Sequence, residues 1–388
     1  MKKLLLLEYI DLVNGLDHGI NSLIRSMVKE SADIQWQVLG AKDLIDNDLK
    51  LKPRIEFINV EFTKVCVLNY QKDHRRKIPN SLKYGFNLIR HRKGISADIV
   101  HAHRIEIGLL SLIFFRQIPL VQFVHNSSRD LHSNTGSSSF WRFLPMLHNL
   151  VSRYVYKHAT KVFLFSENEF QIAKNFNNNV VKAQTWYDDL SFHPEKLNSY
   201  EKPAAGKGMH SINLAWLGRL ETEKNPLLAV KVLYELRQLE SSSHLHFLGY
   251  GNQQSEIQSL IQSLGLTEHV TFHGHVENSQ LLPILLECNL MIHTSKYEGS
   301  PTAILEGLAC GLPVVSSVEG DPDGVIVNGI NGYRISEFSE KDFVQGILNS
   351  LNMSKSEITE TIRHRAKSIM LPKILEQSIW EIHSRKRK

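Results

Sequence analysis

The chain has 388 residues, of which 42% are hydrophobic, 9% aromatic and 22% charged; that length exceeds one typical core, so two domains are expected, and the aromatic content excludes a disordered chain. The 45 Lys and Arg against 40 Asp and Glu give a formal charge of +5. The three cysteines, Cys66, Cys288 and Cys310, form no C-x-x-C pair, which argues against a zinc site and for small buried thiols in a reducing compartment.

The apolar run Leu4–Leu7 stops at Glu8, too short for a signal-peptide core, and is expected to be a buried strand. No stretch is apolar for long enough to span a bilayer, so the expectation is a cytoplasmic protein, peripheral at most on the inner face of the membrane. Helical spacing covers Ile20–Lys29. Strands are expected at Gln35–Leu39, Ile55–Val60, Ile99–Ala102, Leu120–Val124 and Val162–Phe165. Strands alternating with helices imply a parallel sheet covered on both faces. The stretch from Asp188 to Gly208, rich in Pro, Gly, Lys and Asn, is expected to be an interdomain linker.

The pattern restarts with a strand at Ile212–Leu217. A helix follows at Leu227–Leu239, with Asn225 as N-cap and Pro226 in the first position. His244–Leu248 is a strand, Gln254–Leu264 a helix closed by Gly265, and Val270–Phe272, Leu290–His293 and Pro313–Ser316 further strands. A last helix is expected over Leu371–Arg385. Basic residues concentrate at Lys72, His74–Lys77, Lys83, Arg90–Lys93 and again at Arg385–Lys388. Such runs attract phosphates or form solvated basic faces.

The densest signal lies between His293 and Val315: a strand, a turn holding Glu298 and Gly299, a short helix opening with Ser300 as N-cap and Pro301 in the first position, a stop at Gly311 and another strand. A helix N-terminus at the carboxyl end of a parallel strand forms an anion site, because free N–H groups and the helix dipole face the ligand. Glu298 and Glu306 are able to accept hydrogen bonds from sugar hydroxyls. This stretch resembles the E-x7-E signature of retaining glycosyltransferases of the GT-B fold, glycosyltransferase family 4. The resemblance implies that Glu306 binds the donor ribose, that Glu298 lies beside the donor sugar, and that Gly299, Ser300, Pro301 and Thr302 contact sugar and diphosphate.

Gly218-Arg219-Leu220 and Glu223-Lys224-Asn225 resemble the same family's phosphate clamp, in which Arg219 and Lys224 meet the charge developing on the leaving diphosphate. Gly249 falls in a G-x-G strand end, and Val276 follows a strand that resembles the one beside the nucleotide base. The turn Asn328–Gly332 resembles a structural turn of the family. In the first half, Gly15 and Gly19 sit in a loop resembling the one near the donor phosphates. His103 and His125 end two strands, and His125 resembles the histidine close to the reacting sugar. Ser166-Glu167 and Asp188 to Pro194 resemble further family segments, with Trp186-Tyr187 in place of Asn-Gly.

Together these imply two Rossmann-like domains facing each other across a cleft: an acceptor domain over 1–185, onto which a helix at 371–388 packs back, and a donor domain over 205–370. The expected reaction is retaining transfer of a hexose or N-acetylhexosamine from a UDP- or GDP-linked sugar to a saccharide or lipid-linked acceptor in polysaccharide, lipopolysaccharide or glycolipid synthesis. A nucleotide-sugar epimerase or a non-catalytic nucleotide-binding protein on the same fold is the alternative. No cofactor, metal or nucleic-acid partner is expected, since no D-x-D pair adjoins the donor motif. The basic runs suggest contact with an anionic membrane.

Overall fold

The computed structural model describes residues 2–8, 20–43, 60–68, 80–92, 94–125, 144–192, 212–276, 278–299 and 301–382. The loop of Gly15 and Gly19, Ser300, the basic stretch 72–77, Lys93 and the terminal run 385–388 lie outside them. The chain divides into two compact units, Met1–Ala183 with Leu371–Lys388, and Gln184–Met370.

The first unit is built on seven parallel strands: β1 (Lys2–Leu7), β2 (Ile34–Asp43), β3 (Val60–Leu68), β4 (Ile99–Ala102), β5 (Leu120–Val124), β6 (Lys161–Leu164) and β7 (Val180–Lys182). Their order is β3-β2-β1-β4-β5-β6-β7. Leu4–Leu7 are all buried because β1 is central and covered on both faces, the reason its sequence is continuously apolar rather than alternating. Of the strand expected at Ile55–Val60, residues 55–59 lie outside the described residues; β3 runs Val60–Leu68, paired with β2 from Trp36↔Val60 to Asp43↔Leu68.

Helices α1 (Ile20–Lys29), α2 (Asn80–His91), α3 (Ile105–Phe114), α4 (Pro145–His158) and α5 (Glu167–Lys174) connect the strands. Tyr84 and Leu88 of α2, Ile105 and Ile107 of α3, Val155 and Tyr156 of α4 and Ala173 of α5 share one core with Leu5, Leu7, Val100 and Leu164, so these four helices cover one face. Strand alternation sends Trp36, His101, Phe123 and Phe163 to the other face. There the chain end returns. His101 Nε2 lies 3.3 Å from the Ser378 carbonyl, Lys161 Nζ donates to Glu381 at 2.6 Å, and Lys2 sits 3.2 Å above the Trp380 ring. The last helix is not the even 371–385 segment expected: Lys367–Leu375 is α-helical and Glu376–Trp380 widens into a π turn, with helical geometry described to Ile382.

The second unit repeats the architecture with β8 (Asn213–Leu217), β9 (His244–Leu248), β10 (Val270–Gly274), β11 (Leu290–His293), β12 (Val314–Ser317) and β13 (Gly332–Ile335), ordered β10-β9-β8-β11-β12-β13. Helices α6 (Pro226–Leu239), α7 (Gln254–Ser263), α8 (Asn278–Glu287), α9 (Thr302–Ala309), α10 (Glu340–Ser350) and α11 (Lys355–Ile362) accompany it, and α12 (Lys367–Leu375) starts at its end and belongs to the first unit from Leu371 on. The start of the expected linker belongs to this unit: Tyr187 bridges to Ala366, and Phe192 is 2% exposed in the core beside Ala215 and Leu308. Burial of that aromatic ring outweighs the loop-like composition around it.

Two glycines set strand contacts. A Cβ on Gly332 would fall 1.9 Å from the Val314 carbonyl oxygen, and one on Gly249 would fall 1.8 Å from that of Gly218. Gly332→Ala should therefore push β13 off β12 and cost about 3 kcal/mol, a fall of roughly 10 °C in the melting temperature of the second unit. Calorimetry checks it, and an unchanged melting point would contradict this packing.

Candidate functional site

Doubly wound sheets bind ligands at the carboxyl edge where strand order reverses. In the second unit that point lies between β8 and β11. After β8 the chain passes Gly218, Arg219 and Leu220, enters a single 3₁₀ turn at Thr222–Lys224 and reaches Asn225. Asn225 does precede α6, but in the left-handed region (φ 52°), and its side chain caps nothing; the left-handed bend that turns Lys224 out of the 3₁₀ turn takes precedence. After β11 the loop Thr294–Gly299 leads to α9, which starts one residue later than its motif suggests, with Pro301 at the N-cap and Thr302 first in the helix. Gly311, just past α9, takes φ 70° as expected.

Glu298 is the centre of this edge. Its Oε1 accepts from Lys224 Nζ, from Ser295 Oγ at 2.7 Å, and lies 3.1 Å from His293 Nε2. Burial by itself would raise the Glu298 carboxyl; the Lys224 ammonium and the His293 contact overcome it and hold the group well below the usual carboxylate range. The result is a buried carboxylate, ionised at neutral pH, with a cation in direct contact.

The loop that carries Lys224 is tied down from the other strand. Thr294 Oγ1 is within hydrogen-bond reach of the carbonyls of Lys224 (3.0 Å) and Asn225 (2.9 Å) and accepts from Trp216 Nε1 (2.9 Å). Lys296 N–H donates to the Glu223 carbonyl at 2.8 Å. On the far side, Ser317 Oγ donates to the Ser295 carbonyl at 2.5 Å, Glu298 N–H to that of Glu319 at 3.1 Å, and Gly320 leaves no room for a Cβ against His293 and Ser316. The motifs assign no role to His293, Thr294, Ser295, Trp216 or Gly320. A short polar run, His293-Thr294-Ser295, directly after an apolar strand is the signal the sequence offers for the first three.

Other expected positions are placed as follows. Arg219 is exposed and pairs with Glu223 at 3.2 Å rather than with Glu298. Gly218 and Gly249 meet backbone to backbone, with Gly218 N–H donating to the Leu248 carbonyl at 3.1 Å. Val276 packs against the core that holds α8 and α9. Gly299 precedes α9. Glu306, on α9, has no hydrogen-bond partner for its carboxyl among the described residues; the surrounding protein, and then the charge of Asp188, push its pKa up to about 7. The Asn328–Gly332 turn is structural: buried Asn331 accepts from Val327 N–H at 2.7 Å and donates to the Val325 carbonyl at 3.1 Å.

In the first unit the corresponding reversal lies between β1 and β4. Glu8 follows β1 and accepts from Arg104 Nε at 2.6 Å. His103 Nδ1 and His125 Nε2 are 3.0 Å apart, and their rings continue a stack with Phe123 and Phe165. Burial, followed by the Arg104 charge, lowers His125 to about 3, so both imidazoles are neutral at physiological pH. Cys288 and Cys310 are buried, and Cys288 Sγ donates to the Ile284 carbonyl at 3.4 Å. Among the described residues no group of three or more His, Cys, Asp and Glu is arranged to hold a metal ion.

Thr294→Val keeps the volume but strips the hydroxyl shared by Trp216 and the Lys224 loop. It should lower stability by about 1–3 kcal/mol in denaturant unfolding, with most of the loss coming from the unpaired indole N–H; a neutral outcome would mean the hydroxyl does not hold this loop.

Residues 201–368 match the family model described as Glycosyl transferases group 1. The chain is 25% identical over 242 residues to a glycogen synthase of Mycobacterium tuberculosis (strain ATCC 25618 / H37Rv), covering 61% of this chain and 55% of the relative, so the chain spans about half the length of that enzyme. Among solved structures it resembles a sucrose-phosphate synthase from Thermosynechococcus elongatus (TM-score 0.72, 15% identity, 100% of this chain and 99% of that one). It also resembles Anabaena Alr3699/HepE in complex with UDP and glucose (TM-score 0.71, 17% identity, 98% of this chain and 100% of that one). Two parallel sheets with the same reversed strand order, and a motif edge inside the matched segment, agree with these likenesses: the chain has the GT-B fold, and its residues 201–368 match the glycosyl transferases group 1 model.

Proposed function

We propose that this chain is a glycosyltransferase that moves a sugar from a nucleoside-diphosphate donor held by the second unit to a saccharide or lipid-linked acceptor. The observation that carries the reading is the buried Glu298 carboxylate in contact with Lys224 and His293 at the strand-reversal edge, with Glu306 just over one turn into α9. A donor diphosphate entering this edge meets Lys224 and the more exposed Arg219, and their charge stabilises the leaving group as the bond to the sugar breaks. Glu298 aligns Lys224 and offers its carboxylate to sugar hydroxyls. Glu306 accepts the ribose hydroxyls. Gly218, Gly249, Gly299, Pro301 and Thr302 supply close backbone, and Val276 lies on the nucleotide side. His125, a neutral imidazole of the first unit, is suited to accept a hydrogen bond from a sugar hydroxyl. Gly15 and Ser300 keep the donor-phosphate roles their motifs imply.

The UDP and glucose found in the HepE complex support a UDP-sugar as the donor. For the acceptor, support comes from a relative 23% identical over 179 residues named an amylovoran biosynthesis glycosyltransferase, from Erwinia amylovora. Retention of anomeric configuration is part of the proposal, and NMR coupling of the product's anomeric proton reads it directly.

UDP-, GDP- and ADP-sugars at a hundred times their dissociation constant should stabilise the protein by roughly 2.7 kcal/mol, for one base only, and Glu306→Ala should abolish the shift. Lys224→Met should slow transfer about 100- to 1,000-fold while leaving donor binding measurable; binding without turnover in the parent chain would favour a non-catalytic nucleotide-binding protein. The leaving-group charge is assigned to Arg219 and Lys224, so replacing Mg²⁺ with a chelator should leave the rate unchanged.

The pH dependence has a definite sign. Folded Glu306 keeps its proton to about pH 7, whereas an unfolded chain releases it near the usual value of about 4.3, so ionising it in the empty site costs stability as pH rises through 7. Ribose hydroxyls donating to the carboxylate favour the ionised form. The nucleotide-induced melting shift should therefore grow between about pH 6 and about pH 8, and the growth should vanish in Glu306→Gln.

A further inference from the structure

The three helices α2, α3 and α4 lie side by side over one face of the first sheet. Their inner residues form the core. Their outer residues are unusual for a surface. On α4, Met146 is 80% exposed, Leu150 61% and Tyr154 50%, at successive i, i+4 positions that form one stripe along the helix. On α2, Phe86 is 69% exposed, and Ile113 of α3 is 52% exposed. Scattered apolar residues on a surface need no explanation, but a stripe continued across neighbouring helices marks an interaction face.

The charge on this face has a single sign. Lys83, Arg90, Arg153 and Lys157 are exposed on α2 and α4, and Arg92 and Arg116 follow α2 and α3. Glu106 is the one acidic side chain in the three helices. Where α2 and α3 end, a depression of about 430 Å³ is lined by Ile95, Ile113 and Phe114 together with Arg92 and Arg116, and the Arg92 guanidinium stands 5.0 Å from the Phe114 ring. An apolar floor rimmed by two guanidinium groups fits the join between an acyl chain and a phosphate headgroup.

We propose that the outer face of α2, α3 and α4 docks this protein on an anionic lipid bilayer. Met146, Leu150, Phe86 and Ile113 enter the boundary between headgroups and acyl chains, and Arg90, Arg92, Arg116, Arg153 and Lys157 pair with lipid phosphates. A protein partner of ordinary composition would meet acidic and basic side chains in mixture; cations and apolar groups without acids match the surface of an anionic leaflet. Among the described residues no helix is long and apolar enough to cross a membrane, so the contact lies in the interface plane. The inference does not rest on the transferase reading, and vesicle binding and sugar transfer are measured separately.

The test is co-sedimentation of the full chain with vesicles of phosphatidylcholine alone or mixed with phosphatidylglycerol, at low and high salt. Sedimentation with the anionic vesicles and not with the neutral ones is expected, weakening as salt rises. Arg92→Gln with Arg116→Gln should reduce partitioning roughly twentyfold, at about fivefold per charge. Met146→Gln with Leu150→Gln should reduce it at both salt concentrations, since the apolar contribution is not screened. Both pairs are on the surface, and unchanged melting curves would show that they fold. Equal sedimentation with both vesicle types, none with either, or variants that sediment like the parent would overturn the proposal. So would a salt-resistant dimer in analytical ultracentrifugation that Met146→Gln with Leu150→Gln dissociates, because the face would then belong to a second copy of this chain.

Discussion

A carboxylate removed from water is costly unless a cation and hydrogen-bond donors meet it, and Glu298 is such a group. Much of the second unit's carboxyl edge follows from satisfying it. Lys224 must come from a different strand, so the chain after β8 is bent through a 3₁₀ turn and a left-handed Asn225 to deliver it. Thr294 must hold that bend, which fixes a hydroxyl directly after β11, and Trp216 must hold Thr294. Ser317 and Gly320 brace the opposite side of the same loop. The site is thus a small set of mutually dependent contacts, most of them between the ends of β8, β11 and β12 and only the Ser295–Glu298 bond within one loop.

That dependence explains what could be read from the sequence. Strands such as Ile99–Ala102, Leu120–Val124, His244–Leu248 and Leu290–His293 are visible to the residue, because central parallel strands are continuous apolar runs between polar breaks. Helix α1 and the body of α6 are equally plain. Helices α3 and α4 are not, since α3 is apolar nearly all round and α4 turns large apolar residues outward, which blurs the periodicity by which helices are recognised. Lys224, Glu298 and Glu306 stand out by motif. Their supports do not: nothing local in Thr294 or Trp216 announces a bond across 78 residues of sequence. Phe192 gives the same lesson inversely, a core residue hidden within a stretch whose composition resembles a linker.

The two sheets share a strand order but not an edge chemistry. The second unit presents an ionised carboxylate and an ammonium. The first presents two neutral, stacked imidazoles beside one ion pair, Glu8 with Arg104. A charged edge suits a ligand that carries formal charge, and an edge of neutral hydrogen-bonding rings suits one made of hydroxyls. The same architecture thereby offers two chemically distinct places in one chain.

The first sheet is completed by both ends of the described chain. Lys2 lies against Trp380, and Lys161 and His101 take their partners from Ser378 and Glu381, nearly two hundred residues after β7. On the ribosome, β1 to β7 emerge early, and the segment that meets His101 and Lys161 arrives only after all of Gln184–Met370 has been made. The second unit is contiguous and is free to fold as it emerges, whereas the first must wait. Phe123, beside His101, and Phe163, beside Lys161, are large apolar side chains next to that late contact, and apolar surface left open during synthesis is what chaperones hold.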